Sequence, residues 1–154
     1  DYGIIYKDNN VQVNAFTVNH GRLQSLAYKF ITEDKTIVVS GDTCPVEIMK
    51  EKARDADILL HECEYTKGLE TRSEQWQIYH RNVHTLSVDL AKLAIVAKPK
   101  LLVTYHRIYH MNVFDRSFDL KQEMEIRKQA ILEEIKDAGY NGKVINGEDL
   151  DIFE

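Results

Sequence analysis

Two cysteines in 154 residues, Cys44 and Cys63, are too few for a disulfide framework, and their spacing is not that of a CxxC pair. They read as two buried thiols and point to a reducing, cytoplasmic compartment. Long apolar runs are missing as well. No window approaches roughly 18 uninterrupted apolar residues, so no helix of this chain is expected to span a membrane. There is no basic excess: 20 Lys+Arg stand against 25 Asp+Glu, a net charge of −5. That balance speaks against a nucleic-acid clamp built from the whole surface, while leaving room for a local basic groove. Repeats, low-complexity tracts and Gly/Ser/Pro linkers are absent too. A basic stretch leading into an apolar one, the mark of a signal peptide, is not found. The chain opens on Asp1 rather than Met, so an upstream segment is expected.

What is present describes a globular unit. Hydrophobic residues make up 44% and charged residues 29%, which fits residues 1–154 as one domain or one large part of a domain. A chain of this length buries roughly 68–70% of its unfolded surface, so it needs neither a disulfide nor a metal to form a core.

The first forty residues read as strands. Gly3 to Tyr6 is short and apolar, and Lys7-Asp8-Asn9-Asn10 is a turn cluster. Val11 to Val18 alternates strictly, as a half-buried strand does. Leu26 to Ile31 is a third strand. Thr36 to Ser40 is continuous and β-branched, as in a strand buried on both faces.

The period then changes. Thr43-Cys44-Pro45 can open a helix to about Arg54, with Thr43 as N-cap. Ala56 to Leu60 is a short strand ending at His61, and Lys67 to Val83 reads as an irregular surface excursion. Ser87 is placed as the cap of a helix to Ala97, and Leu101 to Thr104 is a buried strand. The longest helix is expected over Asp119 to Ala138, with Gly139 beyond its C-terminus. Lys143 to Ile145 and Leu150 to Phe153 are read as closing strands. β-rich first and then β-α-β-α-β-α-β, the order implies a layered α/β sandwich.

Three segments share one pattern, an apolar strand followed at once by a metal-competent side chain: Val18-Asn19-His20, Val39-Ser40-Gly41-Asp42 and Val103-Thr104-Tyr105-His106. Sites in open α/β sheets form beyond strand ends. Two imidazoles and a carboxylate are what Zn²⁺ takes at an open catalytic site. Gly41 allows the sharp turn that frees the Asp42 carboxylate. Read singly, Asp42-Thr43 is a cap and each histidine a hydrogen-bonded loop residue. No two of these three lie close enough in sequence to make a self-evident motif. His84, at a loop–helix junction, is suited to be a general acid. Glu62 after His61 is suited to orient a neighbouring imidazole, or else to be a buried carboxylate tied to backbone donors. His80 and His110 are read as surface histidines, and Trp76 and the tyrosines as packing residues.

Val-Asn-His20-Gly, Val-Val-Ser-Gly-Asp42-Thr, His61-Glu62, His84-Thr and Val-Thr-Tyr-His106, in this order, resemble the C-terminal half of a metallo-β-lactamase-fold hydrolase of the RNase Z and arylsulfatase-like branch. The resemblance runs from about Gly3 to Phe153. It implies a four-layer αββα sandwich, with His20 and His106 as histidine ligands and Asp42 as a carboxylate shared by two Zn²⁺ ions. Mn or Fe would suit the same mixed donors. His84 would protonate the leaving group. The family's His-x-His-x-Asp-His motif is absent, so the N-terminal half is expected on another segment or to be replaced by a second copy. A homo-oligomer is expected, and the chain alone is expected to hold metal weakly and to be inactive.

Arg107-Ile108-Tyr109-His110 follows the last histidine where RNase Z has a Ser-x-Arg-Tyr type segment, which favours the arylsulfatase-like side and leaves Arg107 to contact an anionic ester. The first functional reading is thus hydrolysis of a phosphate, sulfate or carboxylic ester, in a small molecule or a phosphodiester, by a metal-activated water. The second is a tRNA 3′-processing endoribonuclease, and the third an interaction module that has lost its metal.

Overall fold

The computed structural model describes residues 2–111 and 119–153. Its strands are β1 (Gly3–Lys7), β2 (Gln12–His20), β3 (Leu23–Ile31), β4 (Thr36–Val39), β5 (Ile58–Glu64), β6 (Leu101–Ile108) and β7 (Val144–Asn146). Its helices are α1 (Glu47–Lys52), α2 (Thr66–Glu70), α3 (Glu74–Arg81), α4 (Ser87–Ala97) and α5 (Leu120–Asp137). The seven strands form one sheet in chain order.

Local chemistry explains the early turns. The Asp8 carboxylate accepts the N–H groups of Asn10 and Val11, each at 2.8 Å, and so closes the β1–β2 turn. β1 to β4 pair antiparallel, while β4 to β7 pair parallel. Two reversals therefore bring β2 into the same direction as β4, β5 and β6. The C-terminal ends of these four strands share one edge of the sheet.

Alternation sorts the side chains between the two faces. Phe16, Val18, Val38, Leu59, Cys63 and Leu102 pack beneath Met49 of α1, Leu90 and Leu93 of α4, and Ile131 and Ile135 of α5. On the other face, Ile58, Leu101 and Val103 form a smaller cluster with the half-buried Ile37, Leu60, Ile145 and Phe153. The described residues thus build one sheet and one helical layer, two of the four expected layers. Both cysteines are buried and free.

Several boundaries differ from the sequence reading. Thr43 is not a helix cap. Its hydroxyl donates to the Cys44 carbonyl and accepts from the Asn19 N–H, and α1 begins only at Glu47. Ser87 is the first residue of α4 rather than its cap, because its hydroxyl is drawn to Glu134 and Thr66. The supposed excursion 67–83 holds all of α3 and all but the first residue of α2. α2 is held by the buried Glu134 carboxylate, which accepts the Thr66 and Lys67 N–H groups at 3.0 Å each. α3 is capped by the Ser73 hydroxyl. β5 and β6 run well past His61 and Thr104, since their ladder continues to Glu64 and Ile108. Leu150 to Phe153 forms no strand. α5 starts as expected, with Asp119 accepting from Lys121 N and Gln122 N.

Candidate metal centre

The shared sheet edge collects the polar residues. His20 ends β2, Asp42 follows β4, Glu62 and Glu64 lie on β5, and His106 lies on β6. His84 arrives from the loop between α3 and α4. The turn to Asp42 requires glycine. Gly41 has φ +61°, and a Cβ there would stand 2.5 Å from the Leu26 carbonyl oxygen. Gly41→Ala is therefore expected to lose at least about 2 kcal/mol of stability, read from the midpoint of urea unfolding. An unchanged midpoint would mean that this turn is not tight.

His106 owes its position to an irregularity in the ladder. Glu62 pairs with Tyr105 and Cys63 with Arg107, so His106 is the extra residue of a β-bulge. Its φ of +43° is rare for a residue with a side chain. Bulges re-aim side chains, and this one leaves His106 Nδ1 3.6 Å from Asp42 Oδ1.

His84 sits at the middle of the group. Its ring lies 5.0 Å from that of His20 and 5.9 Å from that of His106, centroid to centroid. His84 Nδ1 donates to Glu62 Oε1 at 3.0 Å, and the same oxygen accepts the Thr43 N–H at 2.9 Å. Burial alone would push the His84 pKa down, but the Glu62 hydrogen bond and the charges of Glu62, Glu64 and Asp42 more than reverse this and hold it above the usual imidazole value. Burial pushes the Glu62 carboxyl up, against the opposing pull of His84. Glu62 is completely buried, and its Oε2 has no hydrogen-bond partner. His20 Nδ1 lies 2.8 Å from the Val83 carbonyl oxygen, an acceptor, so the proton sits on Nδ1 and the lone pair on Nε2.

The six residues singled out from sequence therefore fare differently. His20, Asp42, His84 and His106 come together with Glu62 at one edge. Coordinating atoms of Glu62, His84 and His106 all fall within 4.8 Å of one another, whereas His20 and Asp42 flank that trio. Arg107, expected to meet an anionic ester, instead donates to the Thr104 and Gly147 carbonyls, the Tyr109 hydroxyl and the Glu148 carboxylate. Its charge is satisfied within the protein, and its side chain is only 9% exposed.

His80 and His110 are not surface residues. His80 is 7% exposed, and the His110 side chain 4%. Both lie against Glu64, a residue the sequence reading passed over. Trp76 is half exposed, with its ring 5.6 Å from that of Tyr79. A signal for the buried pair was there in the spacing. His80/His84 and His106/His110 are both four apart, and Glu62/Glu64, two apart on β5, share a strand face, so each of three segments carries a pair of like groups.

No protein-family model matches the chain. Over 79 residues the chain is 35% identical to ribonuclease Z of Ignicoccus hospitalis, a match covering 51% of this chain and 24% of that protein. Among solved structures it is similar to the metallo-β-lactamase fold protein YhfI of Bacillus subtilis, with a TM-score of 0.69, 15% identity, and coverage of 97% of this chain and 52% of that one. Human tRNase Z, short form, superposes with a TM-score of 0.55 at 22% identity, over 68% of this chain and 39% of that one. The chain has the metallo-β-lactamase fold. It spans about half the length of such neighbours, and its matched segment about a quarter of the curated relative.

Proposed function

We propose that this chain, which has the metallo-β-lactamase fold and a sequence similar to that of ribonuclease Z, supplies part of the active site of a metal-dependent phosphodiester hydrolase. The observation that carries the reading is the single cluster of His20, Asp42, Glu62, His84 and His106 at one sheet edge. The residues fit a divalent metal. Two imidazoles and a carboxylate are zinc-type donors, the free Nε2 of His20 is a ligand atom, and a buried carboxylate oxygen of Glu62 is left without a partner. His20, Asp42 and His106 would hold the metal. When bound, it would lower the pKa of water toward about 7 and so supply hydroxide at neutral pH.

The chain's own residues divide the remaining work. Glu62 fixes His84 through Nδ1 and keeps a proton on the imidazole. The other nitrogen of His84 can then give its proton to the departing oxygen. Asp42 and His106, set by the Gly41 turn and the bulge, would hold the metal when it is bound. Three residues are fewer than two zinc ions require. The remaining donors would come from a further segment of a longer protein or from a second copy. The apolar face formed by Ile37, Leu60, Ile145 and Phe153 supports such a covering partner, since these side chains are only half buried.

Phosphodiester is preferred to sulfate or carboxylic ester because the curated relatives that match are named ribonuclease Z and zinc phosphodiesterase. The test uses the full-length protein with precursor tRNA, an aryl phosphodiester and an aryl sulfate. Asp42→Ala is expected to remove both metal at this site and turnover. Full turnover by that variant would overturn the assignment, and cleavage of the sulfate alone would replace the substrate class.

A further inference from the structure

Beside the trio of Glu62, His84 and His106 lies a second cluster with the same composition as that trio. Glu64 from the end of β5, His80 from the last turn of α3 and His110 from the segment after β6 bring coordinating atoms within 4.8 Å of one another. The three supporting segments are those that supply Glu62, His84 and His106, each used a second time two or four residues away. His80 Nδ1 stands 2.8 Å from Glu64 Oε1, and His110 Nε2 donates to that same oxygen. The two imidazole rings meet edge to face with centroids 4.9 Å apart.

This second cluster is buried and incompletely satisfied. Glu64 is completely buried, yet its Oε2 has no hydrogen-bond partner. His80 Nδ1 also lacks one, because its approach to Glu64 is close but poorly aligned for a hydrogen bond. Buried polar atoms are nearly always paired, so two orphans in one buried cluster call for a missing partner. That partner must accept lone pairs from a carboxylate oxygen and an imidazole nitrogen, which a cation does; by displacing the His110 Nε2 proton it would gain the second imidazole. His110 is held for the task. Its φ is +58°, and its carbonyl accepts from the Arg72 guanidinium.

We propose that Glu64, His80 Nδ1 and His110 Nε2 form a second binding site for a divalent transition-metal ion of the Zn²⁺ class, separate from the site of His20, Asp42 and His106. Two histidines and a carboxylate are a zinc-type donor set, and the burial makes the site structural. It ties α3 and the segment after β6 to the end of β5. Through α3 it steadies the loop that carries His84, whose ring lies 5.6 Å from that of His80. Lacking the cation, the chain holds the cluster together with the proton of His110 Nε2.

The test uses the 154-residue chain, stripped with a chelator and titrated with Co²⁺ and, by competition, with Zn²⁺. Set apart from the weak binding expected of the His20, Asp42 and His106 site in this chain alone, one tightly bound equivalent is expected at the second site in the parent and in Asp42→Ala, with the visible absorption bands of low-coordinate Co²⁺. Glu64→Gln and His110→Ala are each expected to weaken that binding at least about 100-fold, beyond the usual effect of losing a supporting residue. Zn²⁺ is expected to raise the melting temperature of the parent but not of His110→Gln. That comparison decides the matter if Glu64→Gln does not fold. Binding that vanishes in Asp42→Ala but survives in Glu64→Gln would overturn the proposal, as would failure of the parent to bind near one equivalent. Neither result depends on whether the longer protein hydrolyses phosphodiesters.

Discussion

Replacing His84 with alanine in the full-length protein is expected to lower turnover by about 10²–10⁴-fold while leaving its metal content unchanged. The reason lies in the competition between two uses of one imidazole. A metal ligand must be neutral, so coordination favours a histidine with a low pKa. A proton donor must carry its proton at working pH. His84 has Glu62 Oε1 at 3.0 Å from Nδ1 and a pKa held above the ordinary value, which suits the donor and opposes the ligand.

The pH dependence gives the sign. Catalysis by protonated His84 falls as pH rises through its pKa. Glu62→Gln removes the charge that raises this pKa but keeps the side-chain volume, so the fall is expected at lower pH than in the parent. Loss of metal together with rate in His84→Ala would instead make His84 a ligand, as its proximity to Glu62 and His106 allows.

Folding stability is expected to fall by about 3 kcal/mol between pH 6.5 and pH 4 through His61 alone. His61 is completely buried, and burial depresses its pKa from 6.5 to about 4. Its Nδ1–H donates to the Glu62 carbonyl at 2.8 Å, and its Nε2 has no partner, so the interior provides nothing to stabilise a second proton. In the unfolded chain the imidazole protonates below about 6.5. The unfolded state therefore binds more protons in this window, and stability increases with pH across it. The contribution is complete above pH 6.5 and lost as pH drops toward 4. Glu62 and His84 have raised values and slopes of the opposite sign, so the measurement compares His61→Asn with the parent by urea unfolding at each pH. The variant is expected to show the shallower rise. Equal slopes would mean that His61 takes up a proton within the fold.

Much of the frame was legible in the residues. Alternation in β2, the β-branched run of β4 and the Asp119 cap of α5 are local preferences that the tertiary structure reinforces. The placement of His20 and Asp42 where apolar strands end could also be read, because a strand that ends in a polar residue ends at the rim of a sheet; His106 instead lies within β6, which continues to Ile108. Gly41 belongs with them, since only a residue without a side chain fits φ +61° against the Leu26 carbonyl.

The reach of β5 was not legible. His61-Glu62-Cys63-Glu64 carries three polar side chains, which on local preference leave the interior, yet all four residues are buried. Only pairing with β6, bulged at His106, draws them in. The irregular stretch 67–83 becomes two helices because a carboxylate 67–68 residues away, Glu134, satisfies the start of the first. His80 and His110 look like surface histidines for the same reason: their partner Glu64 is distant in sequence. Local preference and alternation set which residues form strands and where chemistry meets a sheet edge. Which buried charges face each other was decided by long-range pairing, because the cost of an unpaired polar group is felt only once the interior has closed around it.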